Sequence, residues 1–443
     1  MQICGIIAEY NPLHLGHQYH ITQTKAIAGA DYIITILSGD FVQRGLPAIL
    51  DKHTRTRMAL EAGSDLVLEL PVPYTLSSGE GFGFGAVSLL HQLGCVDTIS
   101  FGTEEGALDK LKEIAQVLNS EQNSPIPSIT PTQTAFTKPP RTGCDTSAYH
   151  RAYQAALKQG LTPPAARTYA LQQAYPELDL SGLDGMSNNM LALEYLKALY
   201  RLDSPIQPVT VKRLGQAYLD TCSENACITS EAEAADIAFS SATAIREYLE
   251  ASDTFPDLSG MVPDFAAMAL KEGCTKNRLI FPDDFSNLLH YKLLSHSVET
   301  LTDFWEVTPD FANKVSKHLP AFTNFTQFAN LLWTKDTTFA RVCRTLMHIL
   351  LDIKTDTRDV HKPVPYARIL GFRKASAPLL TEIKKKADLP LLSKLADCEA
   401  LLSPEAHRLL NLDIKAAHIY DSVLQQKSGI KTAHEMQKQI VIL

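Results

Sequence analysis

The sequence predicts an α/β fold: a Rossmann-like parallel sheet with a helical insertion, followed by a mostly α-helical C-terminal domain. Three observations carry this. Short β-rich apolar runs alternate with helix-length stretches through the first hundred residues, the pattern of a parallel sheet covered on both faces. A polar, proline-rich stretch then breaks the alternation. From about residue 262 the patterning is helical, and 443 residues are more than one ordinary domain needs.

Taken in order, Gln2–Glu9 is an apolar run fit for a buried strand, and residues 14–29 form a helix closed by Gly29. Asp31–Leu37 (DYIITIL) is the second strand, followed by a helix over Asp51–Ala62 that stops at Gly63. Asp65–Leu70 (DLVLEL) is the third strand, residues 78–93 a helix, and Val96–Phe101 (VDTISF) the fourth strand. Residues 119–142 hold five prolines among many Ser and Thr, which predicts an exposed loop. Helical patterning resumes at 147–159 and 187–200, PVTVKRL (208–214) reads as a strand, and SSATAIREYLEA (240–251) as a helix with a Ser/Thr-rich start. TFARVCRTLMHILLDI (338–353) is a helix strongly apolar on one side. The expected division is residues 1–255 as a catalytic domain, with a helical insertion over about 145–200, and residues 256–443 as a helical domain.

Composition narrows the function classes. Hydrophobic residues make up 45% and charged residues 20%, a globular balance. No apolar stretch approaches the roughly 18 residues that a membrane span requires, and the N-terminus lacks a basic leader. Eight scattered cysteines without a C-x-x-C pair point away from zinc ribbons and secreted disulfide frameworks, toward a reducing cytoplasm. The net charge of −8 hides an asymmetry: residues 331–443 carry 18 Lys+Arg against 12 Asp+Glu, whereas residues 1–330 carry a net −14. A basic end on an acidic body suits contact with a polyanion, and equally suits a solvated helical surface. The Lys384, Lys385 and Lys386 run is the candidate for such a contact.

Chemistry concentrates after the first strand, in NPLHLGHQYH (11–20). His14 and His17 are three apart at a helix start, and Gly16 between them lets a flat base or ribose approach the backbone. A helix N-terminus there offers N–H groups and a positive dipole end to phosphate. Two imidazoles can donate hydrogen bonds to charge developing on a phosphoryl group. In SSATAIRE (240–247), Ser240, Ser241 and Thr243 can cap a helix, and Arg246 projects a fixed-charge fork toward phosphates. H-E-x-x-H, Walker and G-x-S-x-G patterns are absent, which removes zinc-hydrolase, P-loop and serine-hydrolase readings.

These elements resemble the HxGH and SxTxIR motifs of the nucleotidyltransferase superfamily; a KMSKS-like loop, the mark of class I aminoacyl-tRNA synthetases, does not occur. AEYNPLHLGHQYHI (8–21), LSGDFVQRGLPAILDKHTRTRMAL (37–60), ELPVPY (69–74), SFGTE (100–104), NNMLALEYLKAL (188–199), VKRLGQAYLD (211–220), FSSATAIRE (239–247) and ILGFRK (369–374) together resemble the tRNA(Met) cytidine acetate ligase family, collinearly over nearly the whole chain. The resemblance implies a nucleotidyltransferase fold that activates acetate with ATP to acetyl-AMP, releasing pyrophosphate. The acetyl group then passes to N4 of the wobble cytidine of elongator tRNA(Met). Mg²⁺ would accompany ATP, held mainly by its phosphates and not by a dedicated metal site.

By position, the resemblance assigns the ATP loop to Ile7, Ala8, Glu9, Tyr10, Asn11, Pro12, Leu13, His14, Leu15, Gly16, His17, Gln18, Tyr19 and His20. His14 and His17 would stabilise the α-phosphoryl transition state. It adds Gly102, Asn188 and Arg213 as nucleotide contacts beside Ser241, Thr243 and Arg246. By themselves, Gly102 reads as a strand-end glycine, Asn188 as a helix cap and Arg213 as a surface residue. Asp40 departs from the family pattern, which has Asn there. Gln43, Arg44, Asp51, Lys52 and Arg55 either line the acetate or RNA path or form a charge network on a helix surface. Two rival readings stay open: an adenylyltransferase acting on a small phosphorylated metabolite, which would not need a basic helical tail, and a non-catalytic RNA-binding adaptor, against which the intact H-x-G-H counts.

Overall fold

A computed structural model describes residues 1–103, 108–123, 147–181, 183, 187–212, 240–252, 254–335, 337–356 and 359–443. The first half of the sheet forms where the apolar runs predict it: β1 (Ile3–Ala8), α1 (Leu15–Ala28), β2 (Tyr32–Ser38), a hairpin of β3 (Phe41–Val42) and β4 (Leu46–Pro47), then α2 (Lys52–Glu61), β5 (Leu66–Leu70), the single turn α3 (Val72–Thr75), α4 (Gly79–Gln92) and β6 (Thr98–Thr103). The middle of the chain adds α5 (Leu108–Asn123), α6 (Ala148–Lys158), α7 (Pro163–Ala174), α8 (Ser187–Arg201), β7 (Gln207–Lys212) and α9 (Ala242–Ala251). The expected loop thus begins later than residue 119: residues 119–123 continue the amphipathic helix α5, and 124–142 lie outside the described residues.

The C-terminal part is helical over α10 (Asp264–Thr275), α11 (Ser286–Leu294), α12 (Val298–Leu301), α13 (Pro309–His318), α14 (Phe325–Leu332) and α15 (Phe339–Leu351), then returns to the sheet. It contributes β8 (Ala367–Phe372), α16 (Ala377–Lys386), β9 (Leu391–Leu392), α17 (Cys398–Leu401), α18 (Pro404–Ser428) and β10 (Val441–Ile442). The sheet order is β10-β8-β5-β2-β1-β6-β7, with β9 beside β8. The strands from β5 to β7 are parallel, and β8 runs antiparallel to β5, pairing Leu66 with Phe372. The chain therefore reverses its direction of growth at β1, with β2 on one side and β6 on the other. That switch point opens a crevice at the carboxyl ends of β1 and β6, where ligands bind in such sheets.

Alternation at period 2 divides the strands between two cores. Ile34 and Ile36 of β2 and Leu66 and Leu68 of β5 face α4, α5, α8 and α16. Cys4, Ile6, Ile33, Leu37 and Val67 face α1, α2, α9 and α10 on the other side. Gly5 is needed in β1, because a Cβ there would lie 2.5 Å from a Leu90 methyl of α4. A third core joins α11–α15 and α18 to Phe41 of the hairpin, so the helical body is packed directly against the loop that follows β2. Among the described residues no helix is long and apolar enough to cross a membrane.

Candidate active site

The crevice is floored by the turn between β1 and α1. Tyr10 leaves the strand with φ of 46°, a left-handed conformation rare for a bulky residue, and its ring is buried. Such conformations persist where surrounding structure over-determines them. Here Leu13 and Tyr10 pack against Ile21 of α1 and against Ile245 and Leu249 of α9. Leu15 N–H donates to the Met261 carbonyl at 3.0 Å, tying the start of α1 to the segment after α9.

His14 is the N-cap of α1. Its Nδ1 accepts from Gly16 N–H at 3.1 Å, while His17 Nδ1 accepts from His14 N–H at 3.3 Å, a capping box made by two imidazoles. The rings stack with centroids 3.7 Å apart, and Tyr10 meets His17 edge-on at 5.0 Å. An imidazole whose Nδ1 accepts carries its proton on Nε2 when neutral, so both residues are set as Nε2–H donors. His20, one turn further, has Nε2 3.0 Å from Ser100 Oγ of β6, and Ser100 is 2.7 Å from Thr24 Oγ1.

Arg246 closes the other side. Ser241 caps α9 by accepting from Ala244 N–H at 3.1 Å, which sets Arg246 in the first turn and a half. Its guanidinium donates to the Asn11 carbonyl, to the Ala242 carbonyl at 3.1 Å and to Thr243 Oγ1 at 3.1 Å. The two motifs, separated by 235 residues, are thus in direct contact. Asn11 is also held from behind, its Oδ1 accepting from Ile49 N–H at 2.8 Å. Glu9 sits beside this pair, accepting from Gln43 N–H at 2.6 Å. Burial pushes its carboxyl up, opposed by the Gln43 N–H and by the guanidiniums of Arg44, Arg55 and Arg246.

Gly102 lies in β6 opposite Val211 of β7, at the carboxyl end of the sheet, and Asn188 lies in the first turn of α8. Arg213 falls outside the described residues. The cluster after β2 resolves into separate parts. Arg55 is fully buried and donates to the carbonyls of Glu9 (2.7 Å), Ser38 (3.0 Å), Leu50 (2.9 Å) and Gly39. Lys52 is equally buried, with Nζ 2.8 Å from Glu69 and 2.7 Å from Glu435. Asp51 caps α2. These three hold the loop in place, and only Arg44 is exposed. Asp40 is buried too: Oδ1 accepts from Lys52 N–H at 2.8 Å and Oδ2 lies 3.7 Å from Lys52 Nζ, a charge contact that Asn could not make. Lys384, Lys385 and Lys386 end α16. The backbone of Lys386 lies against Gly94, and Asp388 N–H donates to the Gln92 carbonyl, so the run sits at the amino end of β6, away from the crevice.

The sequence model of the HIGH Nucleotidyl Transferase family matches residues 1–436. A tRNA(Met) cytidine acetate ligase of Thermoanaerobacter sp. (strain X514) is 36% identical over 441 residues, covering 99% of this chain and 100% of the relative. The enzyme of that name from Clostridium perfringens (strain ATCC 13124) is 37% identical over 429 residues, 95% of each chain. The chain belongs to the tRNA(Met) cytidine acetate ligase family. Its fold agrees with the crystal structure of Thermotoga maritima TmcAL bound with α-thio ATP, at a TM-score of 0.84 and 25% identity over 100% of both chains.

Against this family frame, the sequence motifs locate the histidine loop and Arg246 but miss the residues that position them. Arg55, which gathers four loop carbonyls, and Tyr420, whose hydroxyl donates to the Ala48 carbonyl at 2.8 Å, act from beneath the loop. The only local signal is the i, i+3 spacing of Lys52 and Arg55, which turns both toward the sheet. Nothing near Tyr420 in the chain points to Ala48, 372 residues away.

Proposed function

We propose that this chain activates acetate with ATP and transfers the acetyl group to N4 of the wobble cytidine of elongator tRNA(Met). The observation that supports it most is the paired Nε2–H donors of His14 and His17 at the switch-point crevice, bridged to Arg246, in a chain that matches ligases of that name from end to end. A carboxylate is a poor acyl donor because oxide would have to leave. In the first step an acetate oxygen bonds to the α-phosphorus of ATP, the bond from that phosphorus to the bridging oxygen breaks, and pyrophosphate departs. In the second, the cytidine N4 bonds to the acyl carbon, AMP leaves with the bridging oxygen, and the nitrogen gives up a proton.

The chain's own groups serve the first step by position and charge. His14 and His17 donate to the α-phosphoryl oxygens as negative charge builds on them. Arg246 faces the β- and γ-phosphates, and Ser241 and Thr243, which accept hydrogen bonds through oxygen, keep their own O–H to donate. Gly16 admits the nucleotide to the loop Ile7–His20, while Gly102, Asn188 and Arg213 complete the adenosine contacts. Among the described residues no group of three His, Cys, Asp or Glu side chains is placed to hold a metal ion; in this reading Mg²⁺ would be held mainly by the ATP phosphates and would supply charge neutralisation there. A reducing cytoplasm is the matching compartment.

The test is stepwise. With ATP and acetate alone, labelled pyrophosphate should exchange into ATP and acetyl-AMP should appear in quenched reactions. Adding elongator tRNA(Met) should yield N4-acetylcytidine by nucleoside mass spectrometry. Release of ADP and phosphate, or exchange that ignores acetate, would overturn the reading.

A further inference from the structure

Beyond the crevice, the molecule has a second concavity of about 610 Å³, between the last three turns of α18 and the segment 431–437. His418, Asp421, Ser422 and Gln425 of α18 form one wall, and Lys431 and His434 stand on the other. Its tautomers are set by the backbone. His418 Nε2 accepts from Glu435 N–H at 3.3 Å and His434 Nδ1 accepts from Met436 N–H at 3.3 Å, so the neutral rings carry their protons on Nδ1 and Nε2 respectively. The rings lie 4.0 Å apart and tilted by 57°. The one carboxylate in the wall, Asp421, is matched by the Lys438 ammonium at 2.6 Å. The lining therefore offers donors, an exposed ammonium and two ring faces, with no uncompensated negative charge.

The position of this cleft ties it to the reaction. Behind its wall lies the fully buried Glu435, whose carboxylate grips Lys52 at the head of α2, and Tyr420 of α18 holds Ala48. The contacts land on the loop 39–51 and on the first residue of the helix that follows it, and Ile49 of that loop fixes Asn11 beside His14. The cleft thus faces the same carboxyl end of the sheet as the crevice, whereas the Lys384–Lys386 run lies at the amino end. A volume of this size exceeds what a lone phosphate needs and suits a nucleotide. Imidazole faces with nearby amides and hydroxyls are what unstacked ribonucleotides meet in proteins that read single-stranded RNA.

We infer that the cleft between α18 and residues 431–437 seats a single-stranded nucleotide of the substrate tRNA, its phosphate on Lys431 and His434 and its base against His418 and Gln425. This rests on the tRNA-acetylating reading above. The test compares three full-length variants: Lys431→Glu with His434→Ala, Ser422→Trp to fill the cleft without changing charge, and charge reversal of Lys384, Lys385 and Lys386. Each is measured for acetate-dependent pyrophosphate exchange and for binding to a transcript of elongator tRNA(Met) over a salt series. Both cleft variants should keep the exchange rate and lose at least about tenfold in tRNA affinity, and the charge variant should lose about one unit of salt slope. The lysine-run variant should bind within about threefold of the wild type. Wild-type affinity in both cleft variants overturns the inference. So does a loss confined to the lysine run, which would move the RNA to the amino end of the sheet. A loss in the charge variant alone overturns the seated nucleotide, leaving only electrostatic attraction. If the wild-type protein supports no acetate-dependent exchange, it is the proposed function that fails, not the cleft.

Discussion

Arg246→Ala should reduce acetate-dependent exchange about a hundredfold or more while the protein stays folded. Two losses contribute. The guanidinium's bond to the Asn11 carbonyl holds the nucleotide loop against α9, and a hydrogen bond to a charged group contributes about 1.5–3 kcal/mol. Its contact with the ATP phosphates, in the proposed reaction, contributes a similar amount. Either alone corresponds to a factor of about 10–100, at 1.36 kcal/mol per tenfold. The bonds to Ala242 and Thr243 are local to α9, so their loss costs the helix little. Arg246→Lys keeps the charge but cannot span Asn11 and a phosphate as a planar fork does, and should fall about tenfold. The assay is the rate of labelled pyrophosphate exchange at saturating acetate over a range of ATP concentrations, beside an unfolding curve for each variant. Retention of more than a third of kcat/KM by Arg246→Ala would refute the reasoning, and so would a lysine variant equal to the wild type.

His14→Ala and His17→Ala should each cut the same exchange rate by about 10²–10³, since a donor to developing phosphoryl charge contributes roughly 2.7–4 kcal/mol; a variant above a third of the wild-type rate removes that histidine from the chemistry. His14→Ala should also lower the unfolding free energy by about 0.5–2 kcal/mol, because its side chain caps α1, and His17→Ala should lower it less, through loss of its half of the capping box. Lys52→Met should destabilise the protein by about 3–5 kcal/mol at pH 7, as breaking a buried ion pair does; burial pushes Glu69 up, but Arg368 and Lys52 outweigh it and hold the carboxyl low, so without Lys52 the native carboxylates take up protons more readily. The deficit should therefore narrow from pH 7 to pH 5 in urea titrations, and a constant gap below about 1 kcal/mol would dismiss the network as a stabiliser. Burial, with the Glu69 carboxylate nearby, raises Asp413 to about 7. The folded value exceeds the unfolded one, so the native state keeps a proton that the unfolded chain releases, and this group's contribution to stability falls as pH rises from about 4 to 7. Asp413→Asn should flatten that stretch of the stability–pH curve, and an unchanged slope would show that Asp413 does not titrate there.

The N-terminal sheet was legible because its signals are local. The run DYIITIL becomes β2 and DLVLEL becomes β5, each bounded by a glycine or a helix cap within the same few residues. The segment ARILGF gave no such signal: it is short, is interrupted by Arg368, and its apolar residues suit a helix core as well as a strand. It becomes β8 because the open edge of β5, some 300 residues earlier, offers it a partner. The same division runs through the site. His14, His17 and Arg246 stand out by motif, since the residue types and spacing lie within a few neighbouring positions. Lys52 and Arg55 look like surface charges on a polar helix and are instead buried, a fact decided by Glu69, Arg368 and Glu435 together. The lysine run was visible as charge, but charge in a sequence does not say which end of a sheet it will occupy.

The buried charges also explain why the C-terminal chain returns to the sheet. Lys52 and Arg368 each reach both Glu69 and Glu435, at 2.6–2.8 Å, and Lys438 adds a third cation 3.0 Å from Glu435. Two of these five residues come from α2 and β5, and three come from the last 76 residues of the chain. Each set pairs internally, Lys52 with Glu69, and Arg368 and Lys438 with Glu435, and the cross pairs Lys52–Glu435 and Arg368–Glu69 join the two; losing those cross pairs would leave buried ions only partly compensated. The loop 39–51 is therefore fixed from two sides, by Arg55 gathering the carbonyls at the carboxyl ends of β1 and β2, and by Glu435 and Tyr420 from the C-terminal chain. Since Ile49 in that loop sets Asn11, and Asn11 takes the Arg246 bond, the histidine loop owes its geometry to residues at both ends of the chain. A site built this way is not separable from the tail: Glu435 and Tyr420, which lie behind the second cleft and do not line it, help hold the first in shape.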